Sequence, residues 1–130
     1  MNPGGVRIGT SEIYRQVEKI DFIRESLAVG QMHGNDDRII LFVVLNKKND
    51  LTIEDVDFIK KKIKENCSPK HVPHRIIQIP EVPRTKSGKI VELAVKKAIH
   101  GQKVDNLEAL INPNSISFFE KLYKKKLLDE

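Results

Sequence analysis

The residues best equipped for chemistry lie in one short stretch, Pro83-Arg84-Thr85-Lys86-Ser87-Gly88-Lys89. Proline fixes φ, and glycine opens backbone angles closed to other residues. Such a loop can bring backbone donors and a lysine up to an anionic ligand. Lys89 follows Ser-Gly and carries three donors and a full charge on a long stem. It can bridge a carboxylate and a phosphate and stabilise negative charge as it builds at phosphorus. The plainer alternative is a solvated lysine at a turn, and the residues alone leave both open. The stretch is not a Walker loop, because Pro83 stands at the first glycine position and Ile90 follows the lysine.

A second candidate is Gly4, Gly5 and Arg7. Adjacent glycines let a ligand lie against bare backbone, and an arginine can hold phosphate in a fork. The alternative is a flexible remnant with a surface arginine. A Gly-rich loop at the start of a chain has nothing yet to pack on, so we expect the chain to be part of a longer protein. His71 and His74 stand three apart, but Pro69 and Pro73 argue against a helix there. With no carboxylate or cysteine cluster nearby we assign no metal site.

These loops need elements to hold them. The run Arg75 to Ile79 before the main loop reads as a strand, and Ile90 to His100 after it as a helix. The latter has an apolar stripe of Val91, Val95, Ala98 and Ile99, widened by Ile90, Leu93 and Ala94. Gly101 suits the position just past that helix. Upstream, Thr10 or Ser11 caps a first helix that buries Ile13, Val17 and Ile20 and closes at Asp21 to Ile23. Ser26 to Gly30 and Arg38 to Leu45 read as an antiparallel strand pair, with Gln31 to Asp37 as their turn. The second of these is apolar on both faces, so it should be central. Thr52 and Asp55 form a capping box for a second helix. Its apolar positions are Ile53, Val56, Ile59, Ile63 and Cys67, and it ends at Ser68-Pro69. Asn106 to Leu110 reads as a short helix, Asn112 to Asn114 as a turn, and Ser115 to Leu127 as a terminal helix anchored by Phe118, Phe119 and Leu122. The fold class expected is α+β: a small three-stranded sheet with packed helices, preceded by a short loop or hairpin region.

Composition sets wide limits. The 130 residues fit one domain with a tail, and 39% apolar content with no tryptophan leaves an aliphatic core. A net charge of +5 favours anions without choosing among nucleotides, coenzyme A, nucleic acid and acidic membranes. The lysine runs at 60–64 and 124–126 lack interleaved aromatics, so we expect no nucleic-acid partner. No apolar run spans a bilayer and no signal segment is visible. One cysteine, Cys67, excludes an internal disulfide. We therefore expect a cytoplasmic protein with no membrane partner.

The loop Pro83–Lys89 resembles the last motif of the adenylate-forming acyl-CoA synthetase superfamily. Gly5-Val6-Arg7-Ile8-Gly9-Thr10-Ser11-Glu12-Ile13 resembles the motif just after that superfamily's interdomain hinge, in the right order and at the right spacing for its small C-terminal domain. Within the superfamily, Asn2 to Tyr14, Lys70-His71-Val72-Pro73, Val91 to Lys97, and the ending His100-Gly101, Asn106, Ala109-Leu110 and Asn112-Pro113 resemble the acetoacetyl-CoA synthetase family, to about Phe119. The resemblance implies a two-step ligase in which acetoacetate and ATP (with Mg) give an acyl-adenylate, and coenzyme A then displaces AMP. It implies that Lys89 serves the first step and that Gly4, Gly5, Val6 and Arg7 line the coenzyme A tunnel in the second. Lys64 is the nearest equivalent of a cation that meets coenzyme A phosphates. It further implies that residues 1–100 are the C-terminal domain and 101–130 a family-specific extension packed on it. The family's large N-terminal domain, with its phosphate loop and adenine site, has no counterpart among these residues. That domain is the expected partner, the fragment alone is expected to be inactive with no cofactor bound, and Lys86 and Lys89 are expected in solvent on a loop that is mobile or shaped by crystal contacts, without a good pocket. A ligase for another short acid, or a non-catalytic basic binding module, are the alternatives.

Overall fold

The run Ile39 to Val44 is buried at every residue, which requires cover on both faces of its strand. The computed structural model describes residues 10–33, 36–46, 48, 50–89, 91–104 and 107–124. The chain divides into two compact units, Met1–Ile79 and Pro80–Glu130.

The first unit carries α1 (Thr10–Val17), β1 (Ile23–His33), β2 (Asp36–Leu45), α2 (Ile53–Asn66), a 3-10 turn (Pro69–His71) and β3 (Arg75–Gln78). The sheet order is β1-β2-β3, with β2 central. β1 pairs antiparallel with β2, and β3 pairs parallel with it. A parallel neighbour needs a long crossover, and α2 supplies it. Ile39, Leu41 and Val43 point to the face where Ile13 and Val17 of α1 and Ile59 and Ile63 of α2 complete one apolar core. Leu27, Val29, Ile40 and Phe42 lie on the opposite face and are also buried.

The hairpin is longer than expected. Gln31 to His33 and Asp36 to Asp37 are strand, not turn, and the rest of the expected turn, residues 34–35, lies outside the described residues. Cross-strand pairing prevails over turn propensity here, helped by Gln31, which is buried and accepts a bond from Arg38 Nη2 at 3.0 Å. Ile23 does not close the first helix. α1 ends at Val17, and Ile20 and Ile23 N–H groups form turn bonds to Val17 and Ile20 carbonyls before β1 begins. β1 is an outer strand, and Tyr14 on α1 covers part of its open edge. The Ala28 N–H donates to Tyr14 Oη at 2.8 Å.

Thr52 and Asp55 make both reciprocal bonds of the capping box, each 3.1 Å. Ile53, expected on the buried face, is 79% exposed. It is the first helical residue, at the open end of α2, while burial falls on Ile59 and Ile63 further along. Phe58, also exposed, leans its ring on Phe22 with centroids 6.0 Å apart. Cys67 ends α2, its N–H bonded to the Ile63 carbonyl. His71 bonds Ser68 Oγ at 2.7 Å and Glu12 at 2.8 Å, tying the 3-10 turn to the first turn of α1.

The second unit carries α3 (Glu92–Ile99), a 3-10 turn (Leu107–Ala109) and α4 (Ser115–Lys124). α3 is shorter than the expected 90–100. Val91 N–H bonds back to the Pro83 carbonyl, so the helix begins only at Glu92, and Ile90 lies outside the described residues. Ala94, Val95, Ala98 and Ile99 are buried and α3 packs against α4, whose Ile116, Phe119 and Leu122 are buried in turn. Leu93 does not widen the stripe. It is 64% exposed, one residue ahead of the buried Ala94 and Val95 on a helix whose buried arc runs through positions 94, 95, 98 and 99. α3 ends on Gly101 at φ +71°, with Gly101 N–H bonded to Ala98 O and Gln102 N–H to Lys97 O. This is a Schellman closure, and its left-handed residue favours glycine. The expected opening loop or hairpin and the end of the terminal helix lie outside the described residues.

The architecture is α+β, with a three-stranded mixed sheet and four helices among the described residues. None of those helices is long and apolar enough to cross a membrane.

Candidate functional site

The loop at 83–89 folds back on itself. Gly88 N–H donates to Thr85 O at 2.9 Å, and Thr85 N–H donates to Lys89 O at 2.8 Å. Thr85 and Lys89 thus bracket the three residues Lys86, Ser87 and Gly88, with Gly88 at φ +90°. This is a tight reversal whose last position must be left-handed, and glycine takes that angle without strain. The hydroxyls reinforce it. Lys89 N–H donates to Thr85 Oγ1 at 3.2 Å, and Thr85 Oγ1 and Ser87 Oγ share a bond of 2.9 Å. Arg84 Nη1 donates to Gly88 O at 2.8 Å, so its guanidinium braces the loop.

The chain's tail runs beside the loop. Thr85 and Leu110 form an antiparallel bridge, flanked by Lys86 N–H to Ala109 O at 3.2 Å and Ile111 N–H to Arg84 O at 2.9 Å. Asn112 grips the base. Its Oδ1 accepts from Arg84 N–H at 3.0 Å, and its Nδ2 donates to Val82 O at 2.8 Å and to the Glu81 carboxylate at 2.5 Å. The partners fix the amide orientation, since a backbone N–H can only donate and a carbonyl can only accept.

The result is a backbone closed by its own bonds that presents exposed Lys86 and Lys89 to solvent. Lys89 makes no ion pair among the described residues. A cation held there is available to an anion brought from outside. An open cavity of about 310 Å³ lies beside the loop, lined by Thr85, Leu93, Lys97, Val104 and Leu110 among others, and Lys89 is not part of its wall.

Lys64 is exposed in the last turn of α2, in the first compact unit, whereas Lys89 belongs to the second. Gly4, Gly5, Val6 and Arg7 lie outside the described residues. Cys67 Sγ lies 3.8 Å from the Glu12 carbonyl, and burial, then the Glu12 carboxylate, push its thiol pKa up against the opposing pull of Arg15 and Lys19. His74 bonds Arg38 Nη1 at 2.9 Å. Two residues escaped sequence reasoning. Arg84 was legible as a loop cation, but its inward brace was not. Asn112 read as a turn residue and as part of the resembling tail, and nothing local signals its hold on a residue 28 positions away.

The AMP-binding enzyme C-terminal domain model matches residues 15–89. The acetoacetyl-coenzyme A synthetase of Rhizobium meliloti (strain 1021) is 50% identical over 126 residues, covering 97% of this chain and 19% of that protein. The acetoacetyl-CoA synthetase of Caenorhabditis elegans is 40% identical over 121 residues, covering 92% of this chain and 17% of that protein. Among solved structures, the acetoacetyl-CoA synthetase from Streptomyces lividans aligns with a TM-score of 0.83 at 35% identity, over 93% of this chain and 19% of that one. The chain therefore spans about a fifth of the length of these relatives. With the family model spanning the sheet, α2 and the whole lysine loop, the chain belongs to the AMP-binding enzyme C-terminal domain family.

Proposed function

We propose that this chain is the mobile C-terminal domain of an acetoacetate–CoA ligase, which forms acetoacetyl-CoA, AMP and pyrophosphate through an acyl-adenylate. One observation carries the reading: Lys89 stands exposed at the closed end of a hydrogen-bonded loop, in a domain whose relatives at 50% and 35% identity are acetoacetyl-CoA synthetases. The identity of those relatives supports acetoacetate as the acid. The partner is an N-terminal domain that supplies the acyl and adenine sites, and ATP enters there as its Mg complex. Residues 1–100 are the C-terminal domain of the synthetase and 101–130 a family-specific extension packed on it. The packing of α4 on α3 and the run of Ala109 to Asn112 along the loop support the packing of that extension. The single cysteine and the absence of a spanning helix among the described residues support a cytoplasmic setting.

In the first step Lys89 donates to a carboxylate oxygen of the acid and to the phosphoryl oxygens, countering charge as it accumulates on phosphorus. Arg84 is spent on the Gly88 carbonyl, which leaves the lysines to face the substrate. In the second step the domain turns, and Gly4, Gly5, Val6 and Arg7 line the path of the pantetheine arm while Lys64 meets coenzyme A phosphate. Alternation of this kind sequesters each half-reaction in its own closed site.

The test uses the full-length protein. Lys89→Ala lowers adenylate formation by about 100-fold or more, the usual loss when one charge-stabilising donor is removed. It leaves thioester formation from supplied acyl-adenylate intact. Gly5→Leu does the reverse. Loss of the same half-reaction in both variants would refute the assignment.

A further inference from the structure

We infer that Asn112 is a positioning residue for the adenylation step, through which the tail sets the reach of Lys89. This rests on the assignment of Lys89 above. The carboxamide ties three points at the foot of the loop: the Arg84 N–H, the Val82 carbonyl and the Glu81 carboxylate. Both of the first two partners are backbone groups. Val82 is buried and Arg84 half-buried, so these groups lose a good bond and regain water only in part when the amide is removed. The hold passes along covalent and hydrogen bonds toward the lysine. Arg84 donates from its guanidinium to the Gly88 carbonyl, one residue before Lys89, and its own carbonyl accepts from Ile111 N–H beside Asn112. At its other side the Asn112 carbonyl accepts from Ser115 N–H at 3.0 Å and Ser115 Oγ at 2.7 Å, which anchors it to the first turn of α4. Asn112 thus joins a packed helix to the base of a solvent-exposed loop. It lies outside the span that the family model matches, residues 15–89, so the chain brings this brace from its own tail.

A loop that must place one ammonium against a phosphoryl group tolerates little error. A shift of about 1 Å can cost on the order of 100-fold in rate. A brace that only stabilised the fold would lower both half-reactions together. A brace that positions Lys89 lowers the first alone.

The experiment compares wild type, Lys89→Ala and Asn112→Ala in the full-length protein. Adenylate formation is followed by pyrophosphate exchange, with kcat and KM separated. Thioester formation is followed from supplied acyl-adenylate. Trypsin cleavage after Lys86 and Lys89 is timed by mass spectrometry. Asn112→Ala is expected to lower kcat for adenylation by about 10-fold or more and speed cleavage at both lysines several-fold, with thioester formation within about 2-fold of wild type. If Asn112→Ala does not fold, Asn112→Asp gives the same readouts, because it keeps the acceptor for Arg84 N–H and loses both donated bonds. An equal fall in both half-reactions, or unchanged adenylation and cleavage, overturns the inference. Lys89→Ala inactive with Asn112→Ala unimpaired sinks the inference alone. Lys89→Ala fully active in adenylation sinks the functional reading, and the inference with it.

Discussion

The sharpest prediction concerns Gly101, where the end of α3 meets the side of α4. Two separate penalties await any side chain at this position. The first is conformational. An L-residue held at φ +71° costs about 1–2 kcal/mol relative to glycine. The second is steric. A Cβ built on Gly101 collides with Cε2 of Tyr123 and lies 2.5 Å from its Cζ, about an ångström inside ordinary contact between carbons. The backbone has little freedom to retreat, because the Gly101 and Gln102 N–H groups are bonded to Ala98 and Lys97. Tyr123, which is 49% exposed, has room to swing outward instead. That movement forfeits its packing on α3, at a cost of about 1 kcal/mol for a half-buried ring. Gly101→Ala should therefore destabilise the chain by about 2–3 kcal/mol.

Urea unfolding followed by far-ultraviolet circular dichroism measures the sum, and a Tyr123→Ala background separates the parts. Without the ring, Gly101→Ala should cost only the conformational part, about 1–2 kcal/mol. The coupling of about 1 kcal/mol between the two positions is the signature of the collision. An equal cost in both backgrounds would show that the ring is not in the way. A cost under about 0.5 kcal/mol in both would show that position 101 is not held in the left-handed region, and the account of how α3 ends would fall.

Two further expectations follow from the first unit. Tyr14→Phe leaves the edge-strand N–H of Ala28 without its acceptor, so it should cost about 1–2 kcal/mol and raise the hydrogen-exchange rate of the Ala28 amide above that of its neighbours in β1; uniform exchange across the strand would refute the role given to the hydroxyl. Cys67 should alkylate more slowly than free cysteine near pH 8, with its rate profile displaced to higher pH, and Glu12→Gln should move the profile part of the way back. The sign follows from the raised pKa. The folded chain favours the neutral thiol, so any stability from this group is present below the ordinary cysteine pKa and is lost as pH climbs through the raised one. A profile at or below that of free cysteine contradicts the burial.

Signals written within one element were legible in the sequence. The capping box at Thr52 and Asp55 spans three residues and both of its bonds form. Gly101 marks the end of α3, and the doubly apolar run at 39–44 marks the central strand. These features depend on local geometry that residue type largely dictates. What escaped depends on long separations. Asn112 grips Arg84 across 28 positions, and Glu12 meets His71 across an even longer interval. Asparagine in a turn looks the same whether its amide is bonded to water or to a distant backbone. Ile53 and Leu93 show the converse limit. Each is apolar and near the right helical phase, but exposure at a helix end depends on what lies opposite, which periodicity does not encode. The candidate site divides in the same way: the residues marked Lys89 as a candidate and the resemblance gave it an expected role, but the scaffold that holds it was not legible.

That scaffold bears on how the loop works. A catalytic lysine on a long stem can reach its target by flexing the loop or by riding on a moving body. In this loop Thr85, Gly88 and Lys89 are bonded to one another, Arg84 ties the turn to its own base, and Ala109 to Asn112 hold the outer limb. Opening it breaks several bonds at once, each worth about 1 kcal/mol net, so independent flexing is the costlier route. Under the proposed function, the change between the two half-reactions therefore falls to movement of the body that bears the loop. Within that body the lysine's position is preset, as catalysis by a positioned charge demands. Loosening the loop should then slow the step that Lys89 serves without helping the domain to turn, and the Asn112 variants separate these two effects.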